Sequence, residues 1–128
     1  LNEQSFGSWE GMQIADLRKL TEFKQLTNDP AAYNALSNGV KTFEQLAIHA
    51  MAALYDIVKV HQSGANILVV SHGHTLRLLL SLLGGATWEN HRDESKSVSL
   101  LNTSISIVKC DSENGFHIEQ LNDVVHLQ

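Results

Sequence analysis

The chain has 128 residues, 43% apolar and 18% charged, with 14 acidic against 9 basic side chains and a formal net charge of −5. That balance fits one soluble globular domain and argues against disorder. It supplies no basic stripe for nucleic acid, no polybasic face for membrane lipid and no run approaching the ~18 apolar residues of a membrane helix, which leaves small molecules or proteins as the expected partners. One cysteine, Cys110, has no internal partner for a disulfide, and a reducing cytoplasm is the expected compartment. The first residue is Leu1 rather than Met, so the sequence is expected to begin inside a longer protein.

Leu1 to Gly11 mixes Glu3, Phe6, Gly7, Trp9 and Glu10 without helical or strand period and is expected to be an ordered surface loop. From Met12 to Phe23, Ile14, Leu17 and Leu20 recur every three residues and predict a short amphipathic helix. Asp29 as N-cap and Pro30 at the first helical position predict a brief second helix ended by Asn38-Gly39. Between Thr42 and Gln62, Phe43, Leu46, Ala47, Ala50, Leu54 and Ile57 follow helical spacing. Thr42 and Gln45 form a capping box at its start, and Ser63-Gly64 stops it.

Ile67-Leu68-Val69-Val70 is a continuous β-favouring run, expected to be a central parallel strand covered on both faces. After Ser71-His72-Gly73, Leu76 to Leu83 predicts a mostly buried helix ended by Gly84-Gly85. Ala86 to Lys96 is polar and predicts a loop, Val98 to Val108 a strand, Asp111 to Gly115 a turn, and Phe116, Ile118 and Leu121 a return strand. The expected fold class is α/β: a three-layer sandwich with a mostly parallel sheet and an antiparallel edge strand, incomplete as given. Such sheets bind ligands beyond the carboxyl ends of their strands, here at Ser71 to Thr75.

At that position His72 meets free backbone N–H groups and the positive end of a helix, which is an anion site. Gly73 lets the backbone approach a bound group, and Thr75 offers a hydroxyl. From the triplet alone, a capping Ser71 and an ordinary packed histidine account for the residues equally well. In the first loop, a carboxylate held beside aromatics can have a raised pKa and release a proton, although loop carboxylates are more often solvated. Asn102-Thr103-Ser104 and Leu121-Asn122-Asp123, taken alone, are only strand-end polar groups. Arg77, one turn into the helix, has the reach to touch a phosphate, but an ion pair on the helix surface is at least as good a reading. Neither Arg77 nor His74 is assigned a catalytic role.

Leu1-Asn2-Glu3, Phe6-Gly7-Ser8-Trp9-Glu10-Gly11, a strand ending in Ser71-His72-Gly73, Asn102-Thr103-Ser104, and Leu121-Asn122-Asp123 with His126-Leu127 stand in order along nearly the whole chain. As an ordered set they resemble the histidine phosphatase (phosphoglycerate mutase-like) superfamily, with residues 1–128 forming part of one such domain. The resemblance implies that His72 is the second catalytic histidine, which hydrogen-bonds the transferring phosphoryl group. It implies that Glu3 is the general acid and base, and that Gly73, Thr75, Ser8 and Asn102 contact substrate. It implies phosphomonoester hydrolysis through a phosphohistidine, with no cofactor and no metal, on a phosphorylated small molecule. The Trp9-Glu10-Gly11 form of the loop favours a phosphatase over a phosphoglycerate-type mutase, which stays as the alternative.

The family's Arg-His-Gly strand, whose histidine is the nucleophile, has no counterpart among these residues and would precede Leu1. The chain by itself is therefore expected to be inactive and either to self-associate or to pair with its N-terminal segment. A non-catalytic fragment or interaction module is the reading from a different class. A metallo-hydrolase would use the His72-x-His74 spacing but needs further ligands, and Leu76 and Arg77 stand where they are wanted. A serine-hydrolase elbow fails because Val69 replaces the glycine required two residues before Ser71.

Overall fold

The computed structural model describes residues 1–35 and 38–128. Where one helix was expected over Met12 to Phe23, two short ones form, α1 (Ile14–Leu17) and α2 (Thr21–Asn28). The reason lies in the spacing. A strict three-residue period drifts by about 60° per step on a helix of 3.6 residues per turn, so Ile14, Leu17 and Leu20 cannot all face one side. Leu20 turns extended (φ −73°, ψ 131°) and the chain restarts in a new direction. Leu17 and then Leu26 are thereby buried, and Ile14 is left in solvent. The second expected helix fails at its cap. Asp29 ends α2, its N–H donating to the Gln25 carbonyl at 2.8 Å, and Pro30 enters a turn closed by Ala32 N–H to Asp29 O. The remainder of that expectation reaches Leu36 and Ser37, which lie outside the described residues.

Helix α3 (Phe43–Lys59) is the longest, and its start is the expected capping box. Gln45 N–H donates to Thr42 Oγ1 at 3.2 Å, while Thr42 N–H donates to Gln45 Oε1 at 3.1 Å. Phe43, Leu46, Ala47 and Ala50 are its buried stripe. Helix α4 (Gly73–Leu83) begins three residues earlier than the leucine pattern indicated and ends at Gly84, with Gly85 in the left-handed region (φ +99°).

Two corrections concern strands. Ile67 to Val70 joins no ladder among the described residues; Leu68 is 88% and Val70 82% exposed, against 40% and 36% for Ile67 and Val69. The alternation is that of an extended chain with one face turned outward. A buried parallel strand needs hydrogen-bonded neighbours, and the described residues supply none. Further on, the expected strand over Val98 to Val108 starts only at Ile105, because Thr103 adopts φ +60° and breaks the extension.

The sheet among the described residues is antiparallel and two-stranded, without a parallel pair: β1 (Ile105–Asp111) pairs with β2 (Gly115–Asp123), from Asp111↔Gly115 through Val108↔Ile118 to Ile105↔Asp123. Asp111 Oδ1 accepts from the N–H groups of Glu113 and Asn114 to close the turn. Thus the chain mixes helices and strands, with an antiparallel hairpin at its end as expected. The hairpin leans on the helices through Phe116, whose ring meets Tyr55 of α3 edge-on at 5.6 Å.

The core lies between the first loop and the helices, where Trp9, Leu17, Leu26, Val40, Phe43 and Leu78 pack together. Gly7 makes this possible. It has φ +52°, and a Cβ there would sit 2.3 Å from the Asn38 carbonyl oxygen, which accepts the Ser8 N–H at 3.0 Å. No helix among the described residues is long and apolar enough to cross a membrane.

Candidate active site

The extended Ile67–Val70 run delivers His72 to the N-cap of α4 in a β conformation (φ −115°, ψ 164°) without a side-chain cap of its own. The first N–H groups of a helix need acceptors from elsewhere. Glu3 supplies them across some seventy residues of sequence. Its Oε2 accepts from His74 N–H at 3.3 Å, and its Oε1 from Thr75 N–H at 3.2 Å, from Thr75 Oγ1 at 3.3 Å and from Gln4 N–H at 3.0 Å. Thr75, fully buried, also donates its hydroxyl to Asn2 O at 2.6 Å, and Ser71 Oγ donates to Leu1 O at 2.6 Å. Leu1-Asn2-Glu3 is therefore tied to Ser71–Thr75 at three successive residues.

This bonding runs against the alternative of a raised pKa in the first loop. Burial alone would raise the Glu3 carboxyl, but the backbone N–H groups of Gln4, His74 and Thr75, with the charge on His74, outweigh it and hold the group below its ordinary value. Unliganded, Glu3 is a carboxylate. Phe6 stands nearby but packs on His74, edge-on at 5.6 Å, so the aromatic surroundings do not govern the acid.

His74 is half-buried, and its Nδ1–H donates to Gln4 Oε1 at 3.1 Å. Burial lowers its pKa; Glu3 opposes that, while Arg92 and Arg77 reinforce it. His72 is exposed, and its imidazole makes no hydrogen bond among the described residues. A side chain added at Gly73 would meet nothing within 4 Å, so the helix start is open to an incoming group.

Of the six residues singled out from sequence, the structure brings Glu3, His72, Gly73 and Thr75 to this one helix end. Ser8 and Asn102 make no hydrogen bond to these four among the described residues. Ser8 is held by its N–H to Asn38 O, and Asn102 is exposed beyond Leu101, whose N–H donates to Asn122 Oδ1 at 2.7 Å. Glu10 turns inward on its own loop, accepting from Ser5 Oγ at 3.0 Å and Phe6 N–H at 3.2 Å, and so braces Glu3's loop.

Sequence reasoning missed Gln4, which is 3% exposed, holds His74, and donates through Nε2 to Lys41 O at 2.7 Å. It also missed His91 and Arg92, within a stretch read as a polar loop. His91 is 1% exposed and meets the Phe43 ring edge-on at 4.5 Å. No sequence period flags either position. Among the described residues, no three His, Cys, Asp or Glu side chains are grouped to hold a metal ion.

Residues 1–124 match the histidine phosphatase superfamily (branch 1). A metal-independent phosphoserine phosphatase from Arabidopsis thaliana is 32% identical over 136 residues, an alignment covering 99% of this chain and 50% of that protein. The chain thus spans about half the length of the curated relative it matches. No solved structure matches significantly. With the family's motifs in order and the match running over nearly its whole length, the chain belongs to the histidine phosphatase superfamily.

Proposed function

We propose that the polypeptide carrying this chain hydrolyses phosphomonoesters through a phosphohistidine intermediate. The observation that carries this reading is the convergence of Glu3 and His72 on the N-terminus of α4, where the helix dipole favours a phosphate and Glu3 holds the N–H groups of His74 and Thr75. The superfamily match and the relative's name agree with it. The resemblance assigns nucleophilic attack to a histidine outside these residues, on a strand that would pair beside Ile67–Val70 in a largely parallel sheet. In the first step a bond forms between that nitrogen and phosphorus as the ester P–O bond breaks, and Glu3 gives the departing oxygen its proton. Water then attacks phosphorus, Glu3 takes a proton back, and phosphate leaves with the histidine restored.

Glu3 must be protonated for the first half of this cycle. An arriving phosphate dianion supplies the reason, since a like charge beside a carboxylate favours its neutral form. His72 contributes by donating a hydrogen bond to the phosphoryl oxygens, and Gly73 leaves room for them.

The test uses the whole polypeptide, p-nitrophenyl phosphate and a chelator. Turnover is expected to survive the chelator, and His72→Ala to lower kcat on the order of 10²-fold or more. Loss of activity with chelator and its return with zinc or manganese would overturn the mechanism.

A further inference from the structure

We infer that Glu3 carries its working proton on Oε2, and that Gln4 is the positioning residue for that oxygen, acting through His74. This rests on the phosphatase reading above and adds which atom moves the proton and what holds it in place.

The two carboxylate oxygens of Glu3 are not equivalent. Oε1 accepts from Gln4 N–H at 3.0 Å and Thr75 N–H at 3.2 Å, with Thr75 Oγ1 at 3.3 Å beside them. Even with the Thr75 hydroxyl proton directed to Asn2 O at 2.6 Å, the two N–H groups fill both lone-pair sites of that oxygen. Oε2 accepts from a single donor among the described residues, His74 N–H at 3.3 Å, and keeps a lone pair open. A proton that leaves for an ester oxygen and returns from water therefore travels on Oε2.

What steadies Oε2 is the placement of His74, and Gln4 sets that placement. The His74 Nδ1–H donates to Gln4 Oε1 at 3.1 Å. The amide can do this in one orientation only. Its Nε2 donates to Lys41 O at 2.7 Å, and a carbonyl oxygen only accepts, so the amide oxygen faces His74 and the imidazole proton sits on Nδ1. With the Gln4 N–H on Oε1 and the His74 N–H on Oε2, the three residues close a ring of hydrogen bonds around the carboxylate. Gln4 is 3% exposed, where water cannot replace a lost partner. The imidazole is also braced by Phe6, edge-on at 5.6 Å, and by Phe43, tilted at 6.4 Å. Oε2 thus shifts only if the His74–Gln4 bond breaks or the start of α4 moves with it. Such a lock matters because proton transfer to a leaving oxygen falls off steeply when the acid is misplaced.

The experiment uses the whole polypeptide and two esters: ethyl phosphate, whose alkoxide needs a proton as it leaves, and p-nitrophenyl phosphate, whose phenolate scarcely does. The quantity read is kcat/KM, which reports the step that breaks the ester bond. Gln4→Met keeps the length of the side chain and removes both of its bonds. It is expected to lower kcat/KM on ethyl phosphate by about tenfold more than on p-nitrophenyl phosphate. His74→Phe should do the same, whereas His74→Asn, whose amide N–H stands in for Nδ1–H, should keep most of the wild-type ratio. Thermal melts establish which variants fold, and where Gln4→Met does not, the two His74 variants make the comparison. Nitrogen NMR of the wild-type imidazole gives a readout apart from turnover: the His74 proton is expected on Nδ1, and finding it on Nε2 would overturn the lock. Equal losses on the two esters would leave Gln4 a structural strut and overturn its positioning role, while the phosphatase reading stands. A wild type that hydrolyses neither ester would remove that reading, and the assignment of Oε2 with it.

Discussion

Mild acid should destabilise the fold through His91 before it touches any carboxylate. This imidazole is 1% exposed, its Nδ1–H donates to Trp88 O at 2.8 Å, and its ring edge is set against Phe43. Burial pushes its pKa down; the Trp88 carbonyl opposes this, and the charges of Arg92, Arg77 and His74 add to the fall, from 6.5 to about 4. Because the folded value is the depressed one, the unfolded chain takes up the proton first as pH drops. Stability is full above the unfolded value and falls by up to about 1.4 kcal/mol per pH unit between roughly pH 6.5 and pH 4. The total is about 3 kcal/mol, of which roughly 2.5 kcal/mol is lost by about pH 4.5, a large share of the 5–15 kcal/mol that holds a typical domain. Urea midpoints measured in steps across that window, for the wild type and His91→Gln, supply the test. The variant should lose most of the slope, keeping the part that His74 contributes in the same direction. Parallel pH profiles for the two proteins would refute the reasoning.

Glu3→Gln should cost about 1–3 kcal/mol of stability, because an amide replaces a charged acceptor serving three backbone N–H groups; denaturant titration reads this. If Glu3 is also the acid, the same variant should lose more turnover on alkyl phosphates than on p-nitrophenyl phosphate, whose leaving group scarcely needs a proton, and equal losses would remove it from that role. Gly7→Ala should lower stability by several kcal/mol, since it combines φ +52° with a Cβ 2.3 Å from a carbonyl oxygen, and an unchanged Tm would contradict the packing described. The 128-residue chain alone is expected to associate through Ile67–Val70 and to show no phosphatase turnover, with Leu68→Lys and Val70→Lys reducing the association. Light scattering that finds a clean monomer, or turnover by material of verified mass, would count against this.

What was legible in the sequence was legible for local reasons. The capping box at Thr42 and Gln45, the stripe from Phe43 to Ala50 and the Asp111 to Gly115 turn are each decided within a few residues, and each formed as expected. The failures depend on partners. The three-residue spacing at Ile14, Leu17 and Leu20 looked helical until the drift around the axis was set against a core that accepts only Leu17 among Ile14 and Leu17. The Ile67–Val70 run has the composition of a covered strand, but composition cannot supply the neighbour that makes a ladder.

The candidate site divides along the same line. His72, Gly73 and Thr75 are neighbours in sequence and could be placed at a helix start from the strand, turn and helix pattern alone. Glu3 was given its role only through the resemblance, and from its own loop a raised pKa beside aromatics stood as the less common alternative to an ordinary carboxylate. What governs Glu3 is the row of N–H groups on a helix some seventy residues away, and a carboxylate that completes a helix N-terminus is stabilised in its charged form. Arg77 shows the converse. On a surface helix it would have found an ion pair, and the abundance of acidic residues made that the natural expectation. Instead its Nη2 donates to Ser97 Oγ, and none of the ion pairs among the described residues includes it. Charge counted along a sequence cannot say which charges meet; only the fold decides that, and here it gives Arg77 a hydroxyl for a partner instead of a carboxylate.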